Sequence, residues 1–72
     1  MGKEEFDIPR KLNRILEELE QQERSILWLS KKTGISYQTV YDYAHNIRQP
    51  NLVKLRMIAI VLGVKSSDLV VG

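Results

Sequence analysis

Seventy-two residues without cysteine, with one histidine and a net charge of +2, allow one small domain and exclude disulfide staples and thiolate metal sites. No apolar run approaches the ~18–20 residues of a membrane span, and Glu4, Glu5 and Asp7 stand where a signal or transit peptide would be free of acids, so the chain is expected to be cytoplasmic. Charge is unevenly placed: residues 1–23 balance at −3, with Lys3, Arg10, Lys11 and Arg14 against seven acids, whereas residues 24–56 balance at +5, with Arg24, Lys31, Lys32, Arg48, Lys54 and Arg56 against Asp42 alone.

Residues 1–7 read as a charged arm and residues 8–72 as the domain. Asp7 can cap a first helix over about 8–22, with Pro9 tolerated in its first turn. Leu12, Ile15, Leu16 and Leu19 form one apolar face of that helix, with Lys11, Arg14, Glu17 and Glu18 opposite. Its end is expected to fray through Gln21-Gln22-Glu23.

Ser25 caps a second helix that Gly34 ends, because glycine takes the left-handed conformation without steric cost. Leu29 and Thr33 share one face of it, and the small Ser30 lets another helix approach. Ser36 caps a third helix from Tyr37 to about His45, whose Val40 and Tyr43 turn back toward the second. Asn46 suits a left-handed stop nearly as well as glycine. After the loop 47–50, Asn51 caps a fourth helix with Leu52, Leu55, Ile58, Ala59 and Leu62 on one stripe, ended by Gly63. Ser66 can cap a last short turn carrying Leu69. No segment alternates with period two, so the expected class is all-α. The helix, tight turn and helix over residues 25–48 form a helix-turn-helix, whose second helix usually enters a DNA groove. The basic stretch coincides with this unit, which favours a polyanion over an ordinary solvated face.

The combined pieces resemble the DNA-binding domain of phage repressors and Cro proteins, the XRE-type bacterial regulators. They are Ser25, Leu29-Ser30-Lys31-Lys32, Gly34-Ile35-Ser36, Thr39-Val40, Tyr43, Arg48-Gln49-Pro50-Asn51-Leu52, Leu55, Ile58-Ala59, Leu62-Gly63-Val64 and Asp68-Leu69, spread over residues 8–71. The resemblance implies a compact five-helix, lambda-repressor-like domain. It also implies a transcriptional regulator, a repressor above all, that binds double-stranded operator DNA as a symmetric homodimer without a cofactor. The sequence departs from the family pattern at Ile26, where a glutamine often meets phosphate, at Ser30, Ala44 and Asn46, and at the apolar Leu27 and Trp28.

Candidate DNA-contacting residues lie on and after the third helix: Ser36, Tyr37, Gln38, Thr39, Tyr41, Asp42, His45, Asn46 and Arg48. Gln38 is the best base reader, because its amide can pair with adenine N6 and N7 together. Tyr37 can meet a thymine methyl or a phosphate, and Tyr41 a phosphate or only its neighbours. Asp42 repels phosphate; it either accepts from cytosine N4 or serves a local role with Arg48 or His45. Ser36 and Thr39 offer hydroxyls at a helix N-terminus, with capping as the plainer reading for Ser36. His45 and Asn46 close the helix, where a phosphate contact and a simple interaction with the helix dipole are both open. Arg48 is a phosphate or groove contact, while Lys31, Lys32 and Lys54 more often form a solvated face. No nucleophile–base pair, phosphate loop or metal set is visible, so an enzyme is not expected. The rival reading is a protein-interaction module on the same fold, whose contact surface would be Ile26, Leu27 and Trp28 with the tail Leu69-Val70-Val71. The plainer reading of Trp28 is packing against the first helix or against Phe6–Ile8. The same tail would complete the core through Leu69 and line a two-fold contact with the rest.

Overall fold

The structure, a computed structural model, describes residues 11–71. It contains helices α1 (Ile15–Gln21), α2 (Ile26–Thr33), α3 (Tyr37–Ala44) and α4 (Leu52–Leu62), followed by one turn of 3-10 helix, Ser66–Leu69. The expected all-α class holds, but the fifth element is this single turn rather than a full helix. Each helix contributes a few apolar side chains to one core: Ile15 and Leu19, Leu29, then Val40, Tyr43 and Ala44, then Leu55, Ile58, Ala59 and Leu62, closed by Ile35 and Leu69.

The two helices of the expected helix-turn-helix begin and end as their local chemistry demands. Ser25 Oγ accepts from the Trp28 amide at 3.0 Å, and Ser36 Oγ accepts from the Thr39 amide at 3.2 Å. Gly34 stands at φ 77°, and Asn46 takes the left-handed region at φ 58°. A Cβ on Gly34 would touch nothing within 4 Å, so a substitution there reports backbone strain alone. Gly34→Val is expected to destabilise the domain by about 2 kcal/mol, and Gly34→Asn by much less, since asparagine tolerates this region. Equal denaturation midpoints for the two variants would show that the turn is not set by the left-handed residue.

The first helix differs from the expectation. Asp7 and Pro9 lie outside the described residues, and the helix starts at Ile15 rather than near residue 8. Leu12 and Asn13 stay outside the helix, and Arg14 (φ −115°, ψ 28°) turns the chain into it, because the backbone groups of all three find partners elsewhere. Asn13 bridges Val70 in antiparallel fashion, Arg14 N–H donates to Leu69 O at 2.8 Å, and Val71 N–H donates to Leu12 O at 3.0 Å. Leu12 is therefore not part of a helical stripe. The far end does not fray either. Glu23 is left-handed at φ 57°, Arg24 N–H returns to Leu19 O at 2.9 Å, and the Gln22 amide donates to Leu62 O at 2.8 Å.

Two smaller corrections follow from packing. Leu52, expected on the buried stripe of α4, is 83% exposed, because the first turn of that helix projects past the core. The last turn is entered from Lys65 rather than capped by Ser66: the Lys65 amide donates to the Asp68 carboxylate at 3.0 Å. The tail is used internally. Leu69 is fully buried, as expected of the residue that completes the core, and Val71 is tied to Leu12. Only Val70 remains exposed, so the tail offers little for a two-fold contact.

Candidate nucleic-acid interface

α2 holds α3 through a turn tied by local hydrogen bonds. Gly34 N–H donates to Ser30 O at 2.9 Å, and the Ser30 hydroxyl donates to Ile35 O. The Thr33 hydroxyl donates to Leu29 O at 2.8 Å and accepts from the Ile35 amide at 3.2 Å. Val40, Tyr43 and Ala44 then bury one side of α3. At about 100° per residue the opposite side belongs to Gln38, Asp42 and His45, with Tyr37 and Tyr41 on one flank and Thr39 on the other.

That outer side is ordered by its own contacts. The Gln38 amide donates to Asp42 Oδ1 at 2.9 Å, and Arg48 Nε lies 3.4 Å from Asp42 Oδ2. Arg48 Nη2 donates to the Thr39 hydroxyl at 3.1 Å, which also accepts from the Ser36 hydroxyl at 2.8 Å. Ser36, Gln38, Thr39, Asp42 and Arg48 thus form one chain of bonds across the N-terminal half of α3 and the loop after it. The local role weighed for Asp42 is present, with Arg48 and Gln38 as partners instead of His45. Asp42 is well covered, its side chain 16% exposed against 57% for Arg48. Arg48 thus lies on the solvent side of the pair, and its guanidinium stays open to water.

From the flank to the outer side, Tyr37, Tyr41 and His45 follow at successive four-residue steps, the two tyrosine rings stacked and the His45 ring tilted against Tyr41. Ring centroids are 6.4 Å apart for Tyr37 and Tyr41, and 4.2 Å for Tyr41 and His45. The spacing i, i+4, i+8 carried this signal in the sequence. Tyr43, by contrast, is a core residue. Asn46 is separated from the other candidates. Its Oδ1 accepts from the Leu12 and Asn13 amides at 2.8 and 3.0 Å, and its Nδ2 donates to Asn13 O at 3.3 Å. Both ends of the Asn46 amide are therefore spent holding the C-terminus of α3 to the strand-like segment before α1.

Asn13 completes this joint from the other side and carried no signal in the sequence. Its Oδ1 accepts from the Ile15 amide at 3.0 Å, starting α1, while its Nδ2 donates to Tyr43 O and to Gln49 Oε1, both at 2.8 Å. Behind the interface, Ile26 packs against the core, which accounts for an apolar residue at that position. Trp28 is half-buried against the same core, with the Arg24 guanidinium 4.6 Å above its ring. Leu27 is exposed, as its angle from Leu29 predicts. Lys31 and Lys32 occupy the last turn of α2, where they complement its dipole. Among the described residues, no group of three or more His, Asp or Glu side chains is placed to hold a metal ion, and no helix is long and apolar enough to cross a membrane.

A positioning helix, a turn closed by a left-handed glycine and a second helix with a polar, aromatic-edged outer side define a helix-turn-helix domain. The Helix-turn-helix family model matches residues 15–69, and the chain belongs to this Cro/repressor-like, XRE-type family. The crystal structure of a candidate DNA-binding protein from Bacteroides fragilis is similar, with a TM-score of 0.80 and 33% sequence identity over 83% of this chain and 97% of that one. Comparison with curated proteins gives no match.

Proposed function

We propose that this chain is a sequence-specific double-stranded DNA-binding regulator of transcription, a repressor without enzymatic activity, that seats α3 in the major groove. The observation that carries the reading is the outer side of α3, where Gln38 is held by Asp42 and Arg48 stands beside it on an exposed loop. Gln38 reads a base edge, and Tyr37, Thr39, Tyr41, His45 and Arg48 meet backbone or thymine methyl groups around it. Ser36 mainly starts the helix. One such helix spans only a few base pairs, so the domain works as two copies on an inverted repeat, with recognition helices about 34 Å apart. Cytoplasmic location accords with this role.

Titration of duplex DNA at several salt concentrations is the test, using a site selected from random duplexes. Affinity should fall steeply with salt, each neutralised phosphate contributing a log–log slope of about −0.9. Arg48→Ala should weaken selected and random DNA alike and flatten the slope by about one phosphate. A flat response, or no binding at low salt, would favour the protein-interaction reading, of whose expected surface Leu27 and Val70 remain exposed.

A further inference from the structure

α4 is apolar on two sides. Leu55, Ile58, Ala59 and Leu62, at i, i+3, i+4 and i+7, face the core. The same spacing starting at Val53 marks a second stripe, Val53, Met57 and Ile60, with Arg56 at the remaining step. Val53 and Ile60 are each 69% exposed, Met57 36%, and Leu52 flanks them. A helix on the surface of a soluble domain normally carries charge on this side. Here the only charges on α4 are Lys54 and Arg56, and no acidic residue stands among them.

We propose that the Val53–Met57–Ile60 stripe is the two-fold contact between two copies of this chain. Size is the first argument. Leu52, Val53, Met57 and Ile60 together leave on the order of 500 Å² of apolar surface in water, at the upper end of what a monomer shows. A standard interface takes about 800 Å² from each partner, roughly two-thirds of it apolar in the core, so one helix supplies most of that core. Self-complementarity is the second. The stripe is centred between Arg56 and Met57, so antiparallel pairing about a two-fold axis there sets Val53 of each copy over Ile60 of the other, and Met57 over Met57. Arg56 lies at the edge of the stripe, where its guanidinium reaches water. The third is the small share left to the tail, since Leu69 is in the core and Val71 is tied to Leu12, which leaves Val70 alone exposed. The contact serves the DNA-reading proposal by pairing recognition helices, but its physical basis is independent of DNA.

Sedimentation equilibrium of the whole chain over a concentration series tests it. The wild type should form dimers whose association is unchanged or strengthened by added salt, opposite to DNA binding. Ile60→Glu should raise the dimer dissociation constant at least about 100-fold, because symmetry places the carboxylate in the contact twice. Its circular dichroism and melting should be unchanged, since this side chain points to water. Ile60→Glu mixed with Val53→Lys should form a heterodimer that neither makes alone, which only antiparallel pairing allows. On duplex with two half-sites, Ile60→Glu should lose cooperativity while keeping wild-type affinity for a single half-site; failure of that half-site affinity in the wild type would instead indict the DNA reading. The proposal is overturned if the wild type is monomeric throughout and binds two half-sites without cooperativity, or if Ile60→Glu dimerises normally. It is also overturned if a monomeric wild type becomes dimeric when residues 1–10 are removed, which would show that the chain's own arm covers the stripe.

Discussion

Replacing Asn13 by alanine is expected to lower the stability of the domain by about 2–3 kcal/mol. Asn13 is 2% exposed and is the one buried polar side chain among the described residues. Its loss removes the one partner that the Ile15 amide has among the described residues, strips a donor from the Tyr43 carbonyl, which keeps the Asn46 amide, and leaves Gln49 Oε1 unanswered while Gln49 Nε2 still donates to Asn46. A starting cap is worth about 1 kcal/mol, and each buried group left unanswered about 1–3. A domain of this size has only a few kcal/mol to lose, so the melting midpoint should drop by about 8–24 °C, at about 4–8 °C per kcal/mol. Asn13→Asp tests the geometry. It keeps an acceptor for Ile15, but the fixed Tyr43 carbonyl then faces an acceptor, and Gln49 can turn to donate only by giving up its bond to Asn46 Oδ1. Its midpoint should also fall. A midpoint unchanged in both variants would mean that the amide joint does not hold the two segments together.

Gln38→Ala should cost about 1–3 kcal/mol on the selected site and almost nothing on random duplex. The structure adds a second arm. Because Asp42 holds the Gln38 amide, Asp42→Asn keeps an acceptor while removing a negative charge from the outer side of α3. It should tighten binding to random DNA and leave the sequence preference largely in place. Asp42→Ala removes the acceptor as well, so Gln38 is no longer oriented and discrimination should fall toward that of Gln38→Ala. Competition assays with selected and random duplexes distinguish these outcomes. If Gln38→Ala lowers both affinities equally, the residue is a backbone contact and the reading of its role is wrong.

The parts of the fold legible in the sequence are those fixed within a few residues. Ser25, Gly34, Ser36, Asn51 and Gly63 each act on a turn beginning or ending beside them, and every one stands at the helix boundary it was expected to mark. What could not be read is set by distant segments. The segment from Leu12 to Arg14 has an acceptable helical pattern, yet Asn46 and the Leu69–Val71 backbone satisfy its polar groups in a non-helical form. Asn46 was legible as a left-handed stop, since that depends on its own backbone. The reach of its amide to residues more than thirty positions earlier was not. Leu52 misled because α4 is apolar on both sides, so periodicity could not separate core from surface in its first turn. In the candidate site, the four-residue steps Gln38–Asp42 and Tyr37–Tyr41–His45 follow from helical spacing. The bond from Arg48 back to Thr39 depends on the path of the loop.

The pairing of Leu12–Arg14 with Leu69–Val71 has a consequence for how the domain can be carried. Residues 11 and 71 bracket the fold, yet the chain enters and leaves side by side through two backbone bonds of 2.8 and 3.0 Å. A fold whose two ends meet on one surface behaves as a cassette: it can be set into an exposed loop of another protein without prising its helices apart. The same adjacency makes it a candidate for circular permutation, with a short linker joining the ends and a new opening cut at the exposed turn around Glu23. Such a permutant would keep α2 and α3 contiguous, and with them the whole outer side of the reading helix.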